Sequence, residues 1–163
     1  MNELRSEVYE AMVELRPFVE ARIHEWMEKN PYFRVRDGAP LTTGFCRGIA
    51  AGVEEVLKER FPECYWRVAG GYGVEYCDDQ PANLGDFADL GFFPGGMVDE
   101  CGEWNGHFWV VGGDPDSDHC LIIDLSADQF GHAMVEVIDG DDQRYRENCL
   151  LGTSGMIRPL ERA

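Results

Sequence analysis

This sequence predicts an α+β fold, and three observations carry the prediction. Helical periodicity runs through the first part of the chain, short apolar runs between glycines fill the part after Pro62, and two of those runs flank the turn-rich stretch GGDPDSDH. Helices first and strands after is the order in which helices pack on an antiparallel sheet. With 163 residues, 44% of them hydrophobic, the chain is long enough for one core and short for two. A single domain over 1–163 is expected, with 1–30 as an N-terminal helical segment and 41–138 as its core.

In chain order, residues 3–29 form the first predicted helix, because Leu4, Val8, Met12, Leu15, Val19, Ile23 and Trp26 recur at steps of three or four and line one face. Pro17 is expected to split or kink it. A loop from Asn30 to Thr43, with Pro31, Gly38 and Pro40, leads to a second helix in TTGFCRGIAAGVEEVLKERF. Thr43 is the expected N-cap, which puts Cys46 in the first turn and Cys46, Ile49, Val53, Val56 and Leu57 on one face. Gly44, Gly48 and Gly52 each lower helix propensity by up to about 1 kcal/mol. They are read as sites of close backbone packing around a buried central helix.

Strands are expected at Tyr65–Ala69, His107–Val111, Cys120–Asp124 and Ala133–Ile138. A glycine turn is expected at Gly70, Gly71 and Gly73, and an irregular segment from Cys77 to Glu103 is expected to carry specificity. The chain shows no internal repeat and no low-complexity tract.

Bulk charge excludes some partners. The chain has 31 acidic residues against 14 basic ones, a net charge of -17, which disfavours nucleic acid backbones and anionic membranes. A solvated acidic surface is the favoured reading; a surface that engages a basic protein partner, or imitates DNA, is the alternative. No apolar stretch near the start approaches a signal core or a membrane span, so a cytoplasmic protein is expected, with export as an effector as the other option. Cysteines 46, 64, 77, 101, 120 and 149 are then free thiols. There is no CxxC or HxxxH, and neither Cys101 with His107 nor His119 with Cys120 has paired ligand spacing. No metal and no cofactor are expected.

The chemistry concentrates on three residues. A thiol in the first turn of a helix, beside an imidazole, is placed to ionise and attack, which singles out Cys46. If the two strands around GGDPDSDH form a hairpin in the simplest register, Val111 faces Cys120, Trp109 faces Ile122 and His107 faces Asp124. Opposed residues lie about 4.5 to 5.5 Å apart on the same side of the sheet, so imidazole and carboxylate can bond. His107 is then the base, and Asp124 orients it and fixes its tautomer. Cys64, Cys77, Cys101, Cys120 and Cys149 are read as small hydrophobic residues. His24, His119 and His132 are read as surface or structural histidines.

GFC at a helix start, then GHFWVV, then LIIDLSADQF resembles the papain-like superfamily in its broad sense, which includes transglutaminase-like proteins, arylamine acetyltransferases and bacterial effector deamidases. The resemblance covers 41–138 and leaves the N-terminal helices unexplained. It implies a papain-like fold in which a helix delivers Cys46 as nucleophile onto an antiparallel sheet whose strands supply His107 as base and Asp124 as orienter. Papain-type proteases place a glutamine shortly before the cysteine to help bind the oxyanion, and GAPLTTGF has none. Backbone amides of Phe45 and Cys46, with Thr42 or Thr43, are expected to serve instead; losing one such donor costs about 100 to 1000-fold in rate. Gln129 is another candidate, or else it ties the turn after the strand. Trp66, Tyr72, Trp104, Phe108 and Trp109 either wall a narrow substrate slot or fill the core.

The function expected from these readings is cysteine-dependent acyl transfer on an amide through a thioester. Glutamine deamidase, transglutaminase and peptidase or isopeptidase chemistry share these steps, and the substrate is a protein or peptide amide. The alternative is a non-catalytic domain of the same fold, or an acidic inhibitor, that engages a basic partner.

Overall fold

The computed structural model describes residues 3–33, 35–73 and 95–147. Cys77, Cys149, the Tyr72 side chain and most of the expected specificity segment lie outside the described residues. The fold is α+β: two helices, α1 (Glu3–Lys29) and α2 (Cys46–Arg60), pack on a curled antiparallel sheet. Its strands are β1 (Tyr65–Gly73), β2 (Gly96–Val98), β3 (Trp104–Gly113), β4 (Leu121–Asp124), β5 (Glu136–Asp139) and β6 (Tyr145–Arg146), with a 3-10 turn at Ala127–Phe130 after β4. Among the described residues no helix is long and apolar enough to cross a membrane.

Pro17 does not split the first helix, which runs unbroken through it. The proline is exposed, and Val13, whose carbonyl loses its partner to the proline ring, is 45% exposed. Water can therefore take the freed acceptor. Val8, Met12 and Ile23 are buried as their spacing requires, but Trp26 is not; its ring meets Phe33 and Phe45 edge-on at 5.0 and 5.4 Å.

The second helix starts later than its expected cap. Phe45 is the N-cap residue and makes no side-chain cap bond, so Cys46 is the first helical residue. The turn into it depends on Gly44, whose φ of +86° lies where a side chain is strained. Ile49, Ala50, Val53 and Leu57 form the buried face. Gly48 and Gly52 correct the packing expectation: a Cβ on either would meet open space. They lie on the outer side of the helix, along an apolar groove of about 780 Å³ between α1 and α2.

The long strand β3 organises the sheet. β1 pairs with it from Tyr65↔Gly113 to Gly73↔Asn105, so the expected turn at Gly70 to Gly73 is continuous strand. Those glycines answer a close approach, because a Cβ on Gly71 would collide with the backbone of Gly95 and Gly96. On the other edge of β3, β2 takes Trp104 and Asn105 while β4 takes Val110 to Gly112. His107 lies in the interval. β4 continues to β5 through Asp124↔Glu136, and β2 to β6 through Met97↔Tyr145.

The β3–β4 register corrects the sequence expectation by two residues: Val110 pairs with Ile123, Val111 with Ile122 and Gly112 with Leu121. Alternate residues still face the same way. Val110, Leu121 and Ile123 face the helices, in one core with Val8, Met12, Val53 and Leu57. Trp109, Val111 and Ile122 face the other side, with Ala69, Met97 and Tyr145.

Leu57 is fully buried in the helix-facing core, so Leu57→Ala removes packed methylenes and leaves a cavity. The expected loss is about 2 to 5 kcal/mol, read as a lower urea midpoint at unchanged slope. A midpoint equal to that of the parent would contradict this packing.

Candidate active site

His107 projects from β3 onto the Trp109 side of the sheet and is wholly buried. The two-residue shift places Asp124 diagonally across from it rather than opposite, on the same face. Diagonal neighbours are about 7 to 8 Å apart at the backbone, within reach of an imidazole and a carboxylate. Nε2 of His107 meets Oδ2 of Asp124 at 2.6 Å.

Three further donors hold that carboxylate. The Tyr145 hydroxyl donates to Oδ2 at 2.9 Å, while the backbone N–H and hydroxyl of Ser126 donate to Oδ1 at 2.8 and 3.1 Å. Burial pushes the Asp124 carboxyl up, but His107 and these donors together hold it below the ordinary carboxylate range. Burial likewise disfavours the charged imidazole. Asp124 outweighs it and, with the neighbouring Cys46 thiol, pushes His107 up to about 9. The Phe130 ring stands edge-on to the imidazole at 4.9 Å, and Trp109 packs beside it at 5.9 Å.

With Nε2 committed to Asp124, Nδ1 is the nitrogen left for other partners. Gln129 approaches Nδ1 with its amide nitrogen at 3.4 Å and also donates to the Ser126 carbonyl at 3.0 Å. Gln129 therefore ties the turn after the strand, and the same amide nitrogen faces the ring. Cys46, half-buried at the start of α2, is the thiol whose hydrogen bond and charge favour the protonated imidazole. The structure thus brings Cys46, His107, Asp124 and Gln129 together from four separate segments.

Other expected residues are placed elsewhere. The Phe45 amide donates to the Thr42 carbonyl at 3.0 Å, and its ring packs on Trp26 and Phe33; neither is free for an oxyanion. The Thr42 hydroxyl donates to Asp128 at 2.6 Å. Thr43 is not a cap; its hydroxyl is buried with no partner among the described residues. Trp109 is 2% exposed and belongs to the core beneath the histidine, not to a substrate slot, and Trp66 and Phe108 are core residues as well. His132 donates its Nε2–H to the Val98 carbonyl, 2.8 Å away, which is a structural role. Among the described residues no group of three or more His, Cys, Asp and Glu is placed to hold a metal ion.

Sequence reasoning missed Ser126, Tyr145 and Arg16. An Asp followed two residues later by Ser is a local turn signal that points to Ser126. Arg16 sits four residues after Met12, on the apolar face of α1, and a charge at such a position signals a buried partner. Nothing in the sequence marks Tyr145, which arrives on a two-residue strand.

Neither a protein-family model, nor a curated protein, nor a solved structure matches this chain. What the site can do is therefore argued from its geometry.

The buried pair has a pH signature. An unfolded histidine titrates near 6.5 and the folded ring near 9. The stabilisation from the pair is complete below pH 6.5 and is lost as pH rises through about 9. Asp124, held low, contributes above the ordinary carboxylate range and loses its contribution as pH falls through its folded value. Urea melts should show unfolding free energy declining between about pH 6.5 and 9, with that decline absent in His107→Gln. An equally steep decline in the variant would assign it to another group.

Proposed function

We propose that this chain is a cysteine-dependent acyl-transfer enzyme acting on an amide, with Cys46 as nucleophile, His107 as base and acid, and Asp124 as orienter, in a papain-like arrangement of helix and sheet. One observation supports it most: an imidazole anchored through Nε2 to Asp124 at 2.6 Å, with a helix-start thiol, Cys46, near enough to favour its protonated form. An imidazolium beside a sulfur favours the ionised, nucleophilic form.

In the proposed reaction the proton shared by thiol and ring already sits on Nδ1, and the sulfur adds to the amide carbonyl carbon. The carbon–nitrogen bond then breaks as the leaving amine or ammonia takes the proton from Nδ1, leaving a thioester. Water, giving a proton to Nδ1, attacks the thioester and releases the acid and the thiol; an amine in place of water gives transamidation. With the Phe45 amide and Thr42 hydroxyl committed elsewhere, the oxyanion donors are the N–H of Cys46, which has no intrahelical acceptor at the first helical position, and the Gln129 carboxamide.

Burial narrows the substrate. The ring is inaccessible and Cys46 only partly buried, so an amide meets the cysteine first. That approach suits a slender glutamine side chain or an isopeptide better than a main-chain peptide bond between bulky residues. The rival, an acidic binding or inhibitor protein that engages a basic partner, has only the net charge of -17 in its favour.

A thiol-reactive probe at neutral pH tests the proposal. Cys46 should label ahead of the more exposed Cys101, and His107→Ala should slow that labelling by about 100-fold or more, the scale of a lost general base. Asp124→Asn should slow it to a lesser degree. Uniform slow labelling of every cysteine, unaffected by His107→Ala, would falsify the enzymatic reading.

A further inference from the structure

Arg16 lies on the buried face of α1, far in sequence from the thiol and the imidazole, with a side chain only 5% exposed. A buried guanidinium is costly unless its donors are met. Here Nη1 donates to the carbonyls of Leu125 and Met134, both at 2.7 Å, and Nη2 to Asp128 at 2.9 Å. One side chain therefore holds both ends and the middle of the loop that follows β4. That loop carries Ser126 against Asp124, Gln129 against Nδ1 and Phe130 against the ring.

The second oxygen of Asp128 accepts the Thr42 hydroxyl at 2.6 Å. Thr42 is fully buried and stands four residues before Cys46, in the turn that leads into α2. Cys46 and His107 share no strand ladder. The Thr42–Asp128 bond links the segment that delivers the sulfur to the loop that packs on the imidazole.

We propose that Thr42 and Asp128, anchored by Arg16, are positioning residues that set the Cys46 sulfur against Nδ1 of His107, which makes α1 part of the site rather than an appendage to it. This proposal rests on the acyl-transfer reading for its importance, but the juxtaposition it concerns can be measured without turnover. Arg16 variants risk losing the fold because they take the donor from the Leu125 and Met134 carbonyls and the counter-charge from Asp128. Thr42→Val is the better probe: it keeps the branched shape, deletes the hydroxyl, and leaves Asp128 bonded to Arg16.

Two readouts on Thr42→Val decide the matter: the pH profile of Cys46 alkylation and the titration of the His107 ring by NMR. The expected result is at least a tenfold slower alkylation at neutral pH, a profile moved toward that of an ordinary thiol, and a lower His107 pKa because the sulfur no longer supports the imidazolium. Thr42→Ser should restore both. If the parent Cys46 alkylates no faster than in His107→Ala, the acyl-transfer reading fails alone, and the His107 titration still decides the clamp. A Thr42→Val chain that keeps the parent's ring titration and alkylation profile overturns the clamp.

Discussion

Taking an imidazole and a carboxylate out of water together costs several kcal/mol per charge, and a fold tolerates it only where the geometry is close and every remaining lone pair is met. The His107 and Asp124 pair meets both conditions. The contact is 2.6 Å, and Tyr145 and Ser126 take up the rest of the carboxylate. Much of the architecture can be understood from this requirement. Two strands present the pair on one face, a two-residue strand brings in Tyr145, and a 3-10 turn folds the following loop back over the ring. Phe130 and Trp109 keep water from the imidazole on its flanks.

Burial on this scale also constrains chemistry. An imidazole that keeps its proton to about pH 9 is a poor acceptor in neutral solution unless the sulfur beside it is the group that has lost the proton. The proposed chemistry therefore runs from an ion pair and not from a neutral thiol and a free base. Cys46 is the accessible member, and the base and the orienting acid are both buried behind it. Such layering lets a carbonyl reach the nucleophile while bulk water is kept from the imidazole and carboxylate.

The sequence made part of this legible. Period-two alternation in GHFWVV and LIIDLS put His107 and Asp124 on the same face, and that placement survived a register error because the error was two residues and not one. Helical spacing in α2 identified its buried face correctly, yet the cap was misjudged. Thr43 has the chemistry of a cap, but its neighbour Thr42 is held by Asp128, and Gly44 turns the chain so that the helix begins at Cys46. Glycines misled in both directions. Those in α2 suggested tight packing and face open space, while Gly70 and Gly71 suggested a turn and lie in a strand, where neighbouring atoms leave no room for a Cβ. The long-range contacts of Arg16, Thr42 and Tyr145 depend on tertiary approach, which local pattern does not encode. Only the misplaced charge on an apolar face hinted at Arg16.

The account depends most on the sulfur and the carboxylate acting on opposite nitrogens of a single ring. Titrating a nitrogen-15 labelled His107 by NMR, in the parent chain and in Cys46→Ala, tests this most directly. The account predicts a ring protonated on both nitrogens at neutral pH, titrating near 9, with a lower value once the sulfur is removed. A ring that is neutral at pH 7 and indifferent to Cys46→Ala would contradict it.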